Sequence, residues 1–391
     1  MEAIGRVNAV IQELAVVYFN ENIAIFEANA VFDRFRVFDR HGHGTASSFG
    51  VRGCVVYRIG DAYFESERLF VKFFSSSSAA DVTQQEQQQD ANLYLSVEMH
   101  FHRKVVPLFE QMRGIRHLVP QFYVGRTEST ATYDAGAIVF ENVNQFRNFG
   151  YSRFLDRQLV LLALRKIAEF HAYSFWARQS NRPFGPSVSH RIHTEHMDVV
   201  ADTLRRSLQP LAKAGEYAGW VPRLQNLIDN LEFRIGQQLK QRDDNEGYVL
   251  CHRNYSQVNI LFHFDEQKKE ATDLRIVNWQ WMGFASLGVD LVIVLFVETH
   301  PQTLREHWKE LLNEYQAALY ATFKDPSVPP YERIRAEIKA SVPIALYMLA
   351  LRANHLHLQT SSPAALEMSS LLWNDTLITD MFKELIRRDL I

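Results

Sequence analysis

The spacing of apolar residues changes near residue 150, and that change limits the fold more than any other feature of the chain. Before it, strand-like runs prevail. "RFRVF" at 34–38 alternates polar with apolar residues, as a half-buried strand does. "VRGCVVYRI" and "ERLFVKFF" lie on either side of Gly60-Asp61 and predict a hairpin. "QFYVGRT" and "GAIVFENV" predict two more strands. Two helices belong to the same part: Ile4, Val7, Ile11, Leu14 and Tyr18 recur at helical spacing, as do Leu93, Val97, Phe101, Val105 and Leu108. After residue 150 the pattern becomes helical. "RQLVLLALRKIAEFHAYSFWA" predicts a long buried helix, followed by helices over about 191–213 and 220–241 and four more towards the C-terminus. A short β insertion interrupts them at Tyr248–Cys251, Asn259–Phe264 and Leu274–Asn278. The reading is an α+β chain of two domains, a small β-rich one over 1–143 and a larger helical one over 144–391, with a ligand expected in the cleft between them.

Composition narrows the class. Of 391 residues, 47% are apolar and 22% charged, as in an ordinary globular protein with a large core. A formal net charge of −3 gives no reason to expect nucleic acid or an anionic membrane as partner. Only Cys54 and Cys251 are cysteines, both in apolar runs, so buried thiols in a reducing, cytoplasmic compartment are expected. Acidic and polar residues inside the apolar pattern of the first helix give no reason to expect a signal peptide there, and no run of about 18 apolar residues predicts a membrane span. Asn254-Tyr255-Ser256 and Asn374-Asp375-Thr376 match glycosylation sequons and are read as chance matches. "SSSSAADVTQQEQQQD" at 75–90 has almost no large apolar group to offset its ordering entropy, so a mobile loop is expected, with docking of a protein partner as its possible use.

The chemistry is concentrated in "YVLCHRNYSQVNILF". His252-Arg253-Asn254 stand five residues ahead of Asn259, the spacing of the H-R-D-x-x-x-x-N loop of kinases with an amide where the acid belongs. Phosphoryl transfer also needs a Lys on the phosphates, an acid to hold that Lys, and metal ligands. Lys72 lies inside the apolar run "LFVKFF", and Glu98 lies near the apolar face of the next helix. A buried Lys wants a partner, and Glu98 is a candidate; a Lys reaching out from a sheet edge beside a solvated Glu fits the spacing too.

The order of short segments resembles the ecdysteroid kinase-like, or CHK kinase-like, proteins of insects, relatives of choline kinases and aminoglycoside phosphotransferases. "LFVKFF" looks like that family's nucleotide-lysine strand, "VEMHFHRKVVPLF" its Glu helix, "IVFENV" its hinge and "IAEFHAYSF" its first long C-lobe helix. "LCHRNYSQVNILF" resembles its catalytic loop, "RIVNWQ" its metal strand and "GVDLVIVL" a later Asp-Leu helix. The resemblance covers about residues 30–320 and implies a protein-kinase-like bilobal fold using ATP and Mg²⁺. It implies Lys72 and Glu98 as the phosphate-side ion pair, Asn259 as a metal ligand, and Asp290 as the brace of the catalytic loop. Asn254 falls at the proton acceptor's place and Asn278 at the main metal carboxylate's. Gly42 and Gly44, in "GHGTASSFG", fall where the family covers the phosphates, although they form no G-x-G-x-x-G.

Departures from the pattern redirect the reading. Asn142, Asn254 and Asn278 replace Asp, and Arg253 replaces Gly. An amide is a poor proton acceptor, and loss of a general base costs about 10²–10⁴ in rate. Mg²⁺ is usually held by carboxylates and phosphates, so neutral Asn259 and Asn278 weaken its site. Arg253 is a candidate to hold an anion without metal. The first expectation is a pseudokinase binding a nucleotide or small molecule. The alternative is an active kinase for an ecdysteroid or other hydrophobic alcohol, in which Asp290 or Asp273 replaces a missing ligand. Other signals are weaker. His190, His193 and His196 read as surface histidines more readily than as zinc ligands, His41 and His43 as a solvated turn, and His171 as a structural residue. Trp279 and Trp281 read as core, or as lining for a flat apolar acceptor.

Overall fold

The computed structural model describes residues 2–24, 27–41, 48–74, 84–126, 136–150, 153–179, 196–239, 248–325, 328–354 and 374–391. The chain forms two compact units, one of Met1–Glu110, Val119–Asn144 and Asn278–Gln280, the other of Gln111–Leu118, Gln145–Val277 and Trp281–Ile391.

The first unit is an antiparallel sheet with helices. Helix α1 (Glu2–Tyr18) runs on through a wide turn at Phe19–Ile23. Strands β1 (Ala30–His41), β2 (Ser48–Ile59), β3 (Ala62–Glu65) and β4 (Leu69–Phe74) precede helix α2 (Gln84–His100). After α2 come a π-type turn at Phe101–Val105, helix α3 (Val106–Arg113), and strands β5 (Phe122–Arg126) and β6 (Ala137–Glu141). The sheet order is β1-β2-β4-β6-β5, with β3 paired to β2. Alternation gives the sheet two faces. Val51, Val55, Tyr57, Val71, Phe73 and Val139 share one core with Val10, Ile11, Leu14 and Tyr18 of α1. Lys72, opposite Gly50 and Ile138 in register, belongs to the other face.

Two expectations need correction here. The turn at Gly60 (φ +59°) returns the chain into β3, and the lysine strand β4 pairs with β2 as a further strand. Apolar spacing missed β3 because all four of its residues are exposed. The glutamine-rich stretch expected in a loop is already helical from Gln84, because Gln and Glu are good helix formers. Residues 75–83 lie outside the described residues.

The second unit is mainly helical. Strand β7 (Phe146–Arg147) pairs with β9 (Ile260–Asp265), which pairs with β10 (Glu270–Ile276). Strand β8 (Tyr248–Cys251) pairs with β11 (Gly283–Ser286). Around them are α4 (Arg157–Gln179), α5 (Met197–Lys213), α6 (Val221–Asp229) and α7 (Leu231–Leu239). Later come the short α8 (Gly288–Val292), α9 (Pro301–Phe323), α10 (Tyr331–Ala353) and a C-terminal helix α11 (Asp375–Arg387). The helix expected over 220–241 is broken at Asn230 into α6 and α7. Local signals set the ends: His300 caps α9 just before Pro301, and the Asn374 side chain accepts the Leu377 amide at 3.0 Å to start α11. Arg352 and Glu298 form a bidentate ion pair in the interior. Among the described residues no helix is long and apolar enough to cross a membrane.

Helix α8 carries Asp290, and its seat depends on Gly288. A Cβ there would lie 2.2 Å from the Glu337 carbonyl oxygen of α10, while Ser286 Oγ donates to Glu337 Oε2 at 2.6 Å. The obstacle is backbone, so it cannot swing aside. Gly288→Ala is expected to cost about 3 kcal/mol of stability, read as a lower urea midpoint at unchanged slope.

Candidate functional site

In the first unit the site is built around one buried cation. Strand β4 points Lys72 at α2, and its Nζ donates to Glu98 Oε2 at 2.6 Å. It also donates to Asn278 Oδ1 at 2.8 Å and to Gln280 Oε1 at 3.0 Å. An ammonium group has three donors, and all three are taken. The Phe74 ring lies 4.7 Å from the same nitrogen. Lys72, Glu98 and Gln280 are buried. Burial lowers the Lys72 pKa below its ordinary value, and Glu98 opposes the shift.

The Asn278–Gln280 segment, which runs into a short helical turn at Trp279–Trp281, delivers the two amides. Trp279 is buried and stacks face to face on Phe101, with centroids 3.9 Å apart, so its ring belongs to the packing of this unit. Asn278 has φ +64°, a left-handed conformation that Asn tolerates better than most residues.

One helical turn beyond Glu98, His102 sits in an aromatic surround of Phe101, Phe122 and Phe140. Its Nδ1 is buried without a hydrogen-bond partner. Burial first, and then the Lys72 charge, lower its pKa to about 3. Neither His102 nor Gln280 stood out in the sequence. The available signals were the four-residue step from Glu98 and the two-residue step from Asn278.

In the second unit the loop hangs on Asp290. Its carboxylate accepts the His252 amide at 2.8 Å and the Arg253 amide at 2.7 Å, and faces His171 Nε2 at 3.2 Å. His171 Nδ1 meets the Tyr315 hydroxyl at 2.8 Å. His252 Nε2 donates to the Val277 carbonyl at 2.9 Å, which leaves its Nδ1 to accept the Asn254 amide at 3.2 Å. Asn259 Nδ2 donates to the Asn254 carbonyl at 2.8 Å, closing the loop. The described residues contain one three-membered group of possible metal-binding atoms, His171, Cys251 and Asp290, fully buried. Asp290 and His171 already spend their polar atoms on the loop and on Tyr315.

Arg253 differs from its expected use. Its φ is +64°, a conformation that costs a side-chain-bearing residue about 1–2 kcal/mol. That torsion accounts for a glycine in the resembling motif. The side chain is 6% exposed and turned inward, with Nη2 donating to the Phe284 carbonyl. Nε and Nη1 are buried without partners, and burial lowers the pKa from its ordinary value. A guanidinium in this position is not presented to an anion in solvent.

The remaining sequence candidates are distributed as follows. Asp273 is held by Arg275 at 2.7 Å and Lys166 at 3.2 Å. Asn142 follows β6, its amide donating to the Arg68 carbonyl at 3.1 Å. Cys54 and Cys251 are buried free thiols, and burial above all pushes the Cys54 pKa up to about 11. His196 precedes α5. Gly42, Gly44, His43, His190 and His193 lie outside the described residues.

The amides present do not suit Mg²⁺. Asn278 Oδ1 is already the acceptor of a cation's N–H, and neither Asn278 nor Asn259 brings charge. Asp290 and Asp273, the acids named above as replacements, are tied to the loop and to two cations respectively.

The buried imidazole makes stability depend on pH. Folded His102 takes a proton only near pH 3, whereas an unfolded histidine takes one near pH 6.5. Its penalty therefore grows as pH falls through 6.5 and on towards 3. Between pH 7 and pH 5 it should remove about 2 kcal/mol. His102→Phe should flatten that part of the profile, as measured by urea unfolding across the range.

Comparison with known proteins places the chain. A family model described as the ecdysteroid kinase-like family matches residues 55–327, more than half of the sequence. No curated protein matches. Among solved structures, a microcompartment-associated aminopropanol kinase is similar at 11% identity and TM-score 0.46, over 97% of this chain and 99% of that one. Plasmodium vivax ethanolamine kinase is similar at 9% identity and TM-score 0.43, over 97% and 89%. Aminoglycoside 2′-phosphotransferase-IIIa in its GDP complex is similar at 12% identity and TM-score 0.39, over 96% and 98%. The chain, made of an antiparallel sheet unit and a mainly helical second unit, belongs to the ecdysteroid kinase-like family.

Proposed function

We propose that this protein is a pseudokinase, a kinase-fold protein that binds a nucleotide or another small molecule and does not transfer phosphate. The observation that carries the reading is the saturation of Lys72. All three of its donors are held inside the protein, two of them by neutral amides, one of which stands at the metal carboxylate's position. A phosphate oxygen reaching Lys72 has to displace one of these acceptors, and a buried acceptor left unpaired costs about 1–3 kcal/mol. Asn254 adds a second, independent loss: the position of the proton acceptor has no carboxylate. Charge balance points the same way. The Lys72–Glu98 pair is neutral by itself, so this cluster has no negative charge left over for a divalent ion.

In the alternative reading the protein phosphorylates a hydroxyl of an ecdysteroid or another hydrophobic alcohol. It keeps the Lys72–Glu98 pair and the Asp290-braced loop in use, and it needs a carboxylate from outside the described contacts.

Thermal-shift titration separates the two. With ATP, the unmodified protein should give the same midpoint shift with and without Mg²⁺ or Mn²⁺, and no ADP should form. Asn254→Asp combined with Asn278→Asp should make the shift metal-dependent. An ATP shift that needs Mg²⁺ in the unmodified protein, with turnover abolished by Lys72→Ala, overturns the proposal.

A further inference from the structure

The structure assigns Arg253 a role of its own: it is an internal latch that ties the 252–259 loop to strand β11, and Gly283 is its socket. This goes beyond the pseudokinase reading and does not depend on any ligand. Three observations carry it. A Cβ built on Gly283 would lie 2.5 Å from Arg253 Cζ, 2.7 Å from Nη1 and 2.8 Å from Nη2, so the guanidinium fills the space that a side chain at 283 would need. Nη2 donates to the carbonyl of Phe284, the next residue of β11, which the Tyr248 hydroxyl of β8 also reaches at 3.0 Å. The Arg253 backbone is meanwhile pinned from the other side, its amide on Asp290 Oδ1.

The arrangement holds the loop at both ends of one residue. With glycine at 253, the backbone bond of residue 253 to Asp290 would remain and the side-chain bond to the Phe284 carbonyl would be lost, leaving β11 its pairing with β8. With arginine, main chain and side chain grip different elements, α8 and β11. The left-handed torsion at 253 and the two unpartnered guanidinium nitrogens both disfavour this conformation. The fit against Gly283 and the Phe284 carbonyl is what offsets them. The latch therefore sets the loop in one position from within the protein.

Four proteins test it: unmodified, Gly283→Ala, Arg253→Gly, and the two substitutions together. Gly283→Ala should lower the urea midpoint clearly in the Arg253 protein and hardly at all in the Arg253→Gly protein. Hydrogen exchange gives the second measurement. In Arg253→Gly the amides of residues 253, 254, 256 and 259 should exchange at least tenfold faster, with those of α9 changed less than twofold. Equal cost of Gly283→Ala in both backgrounds overturns the latch, and so does unchanged loop exchange in Arg253→Gly. If Gly283→Ala alone does not fold, the exchange measurement on Arg253→Gly decides by itself.

Discussion

A positive charge taken out of water must be matched, and in the first unit that requirement falls on Lys72. Its ammonium is buried, so removing a partner would leave an uncompensated charge or polar group inside the protein. The match joins parts distant in sequence. Strand β4 supplies the cation, α2 the carboxylate, and the Asn278–Gln280 segment two amide oxygens. Because Trp279 stacks on Phe101 between those two amides, apolar packing sets where they point. The chemistry of the position follows from which acceptors were chosen. Two amides satisfy hydrogen bonds without adding charge, and a site with no spare charge is poorly suited to a divalent metal.

Asp290 has the corresponding place in the second unit, with the sign reversed. One buried carboxylate gathers two successive loop amides and a histidine, so α8 fixes the loop's start. The seat of α8 in turn relies on Gly288 lying against the backbone of α10. Asn254 enters the loop's hydrogen bonds through its backbone amide and carbonyl, so the loop's shape is carried mostly by main-chain groups.

Much of this was legible in the sequence because burial leaves a pattern. The runs around Lys72, Cys251 and Ile260 are apolar and short, and they are strands. The stretch from His252 to Asn259 reads as a polar loop between two strands, and the structure has it so, with Asn259 bonded to the Asn254 carbonyl. What escaped has physical reasons too. β3 is exposed throughout, so no alternation marks it. Gln84 starts a helix inside a polar stretch because propensity, which carries no apolar signature, favours it there. The direction of the Arg253 side chain depends on space at Gly283, thirty residues away, and local sequence holds no record of that space. Gln280 and His102 became visible only once their partners were placed.

Among the described residues strand β1 ends the sheet, with β2 as its neighbour on one side. An open strand edge is a template for a strand from another molecule, and Val31, Val37 and Phe38 make this one partly apolar. The same strand carries Asp33, Arg34 and Arg36, and its register slips twice, between Phe32 and Arg34 and between Val37 and Asp39. Charge and irregular pleating both spoil the match an incoming strand would need. A strand edge carrying charge and broken register is a poor partner for a second strand, so the rim of the sheet works against pairing through β1.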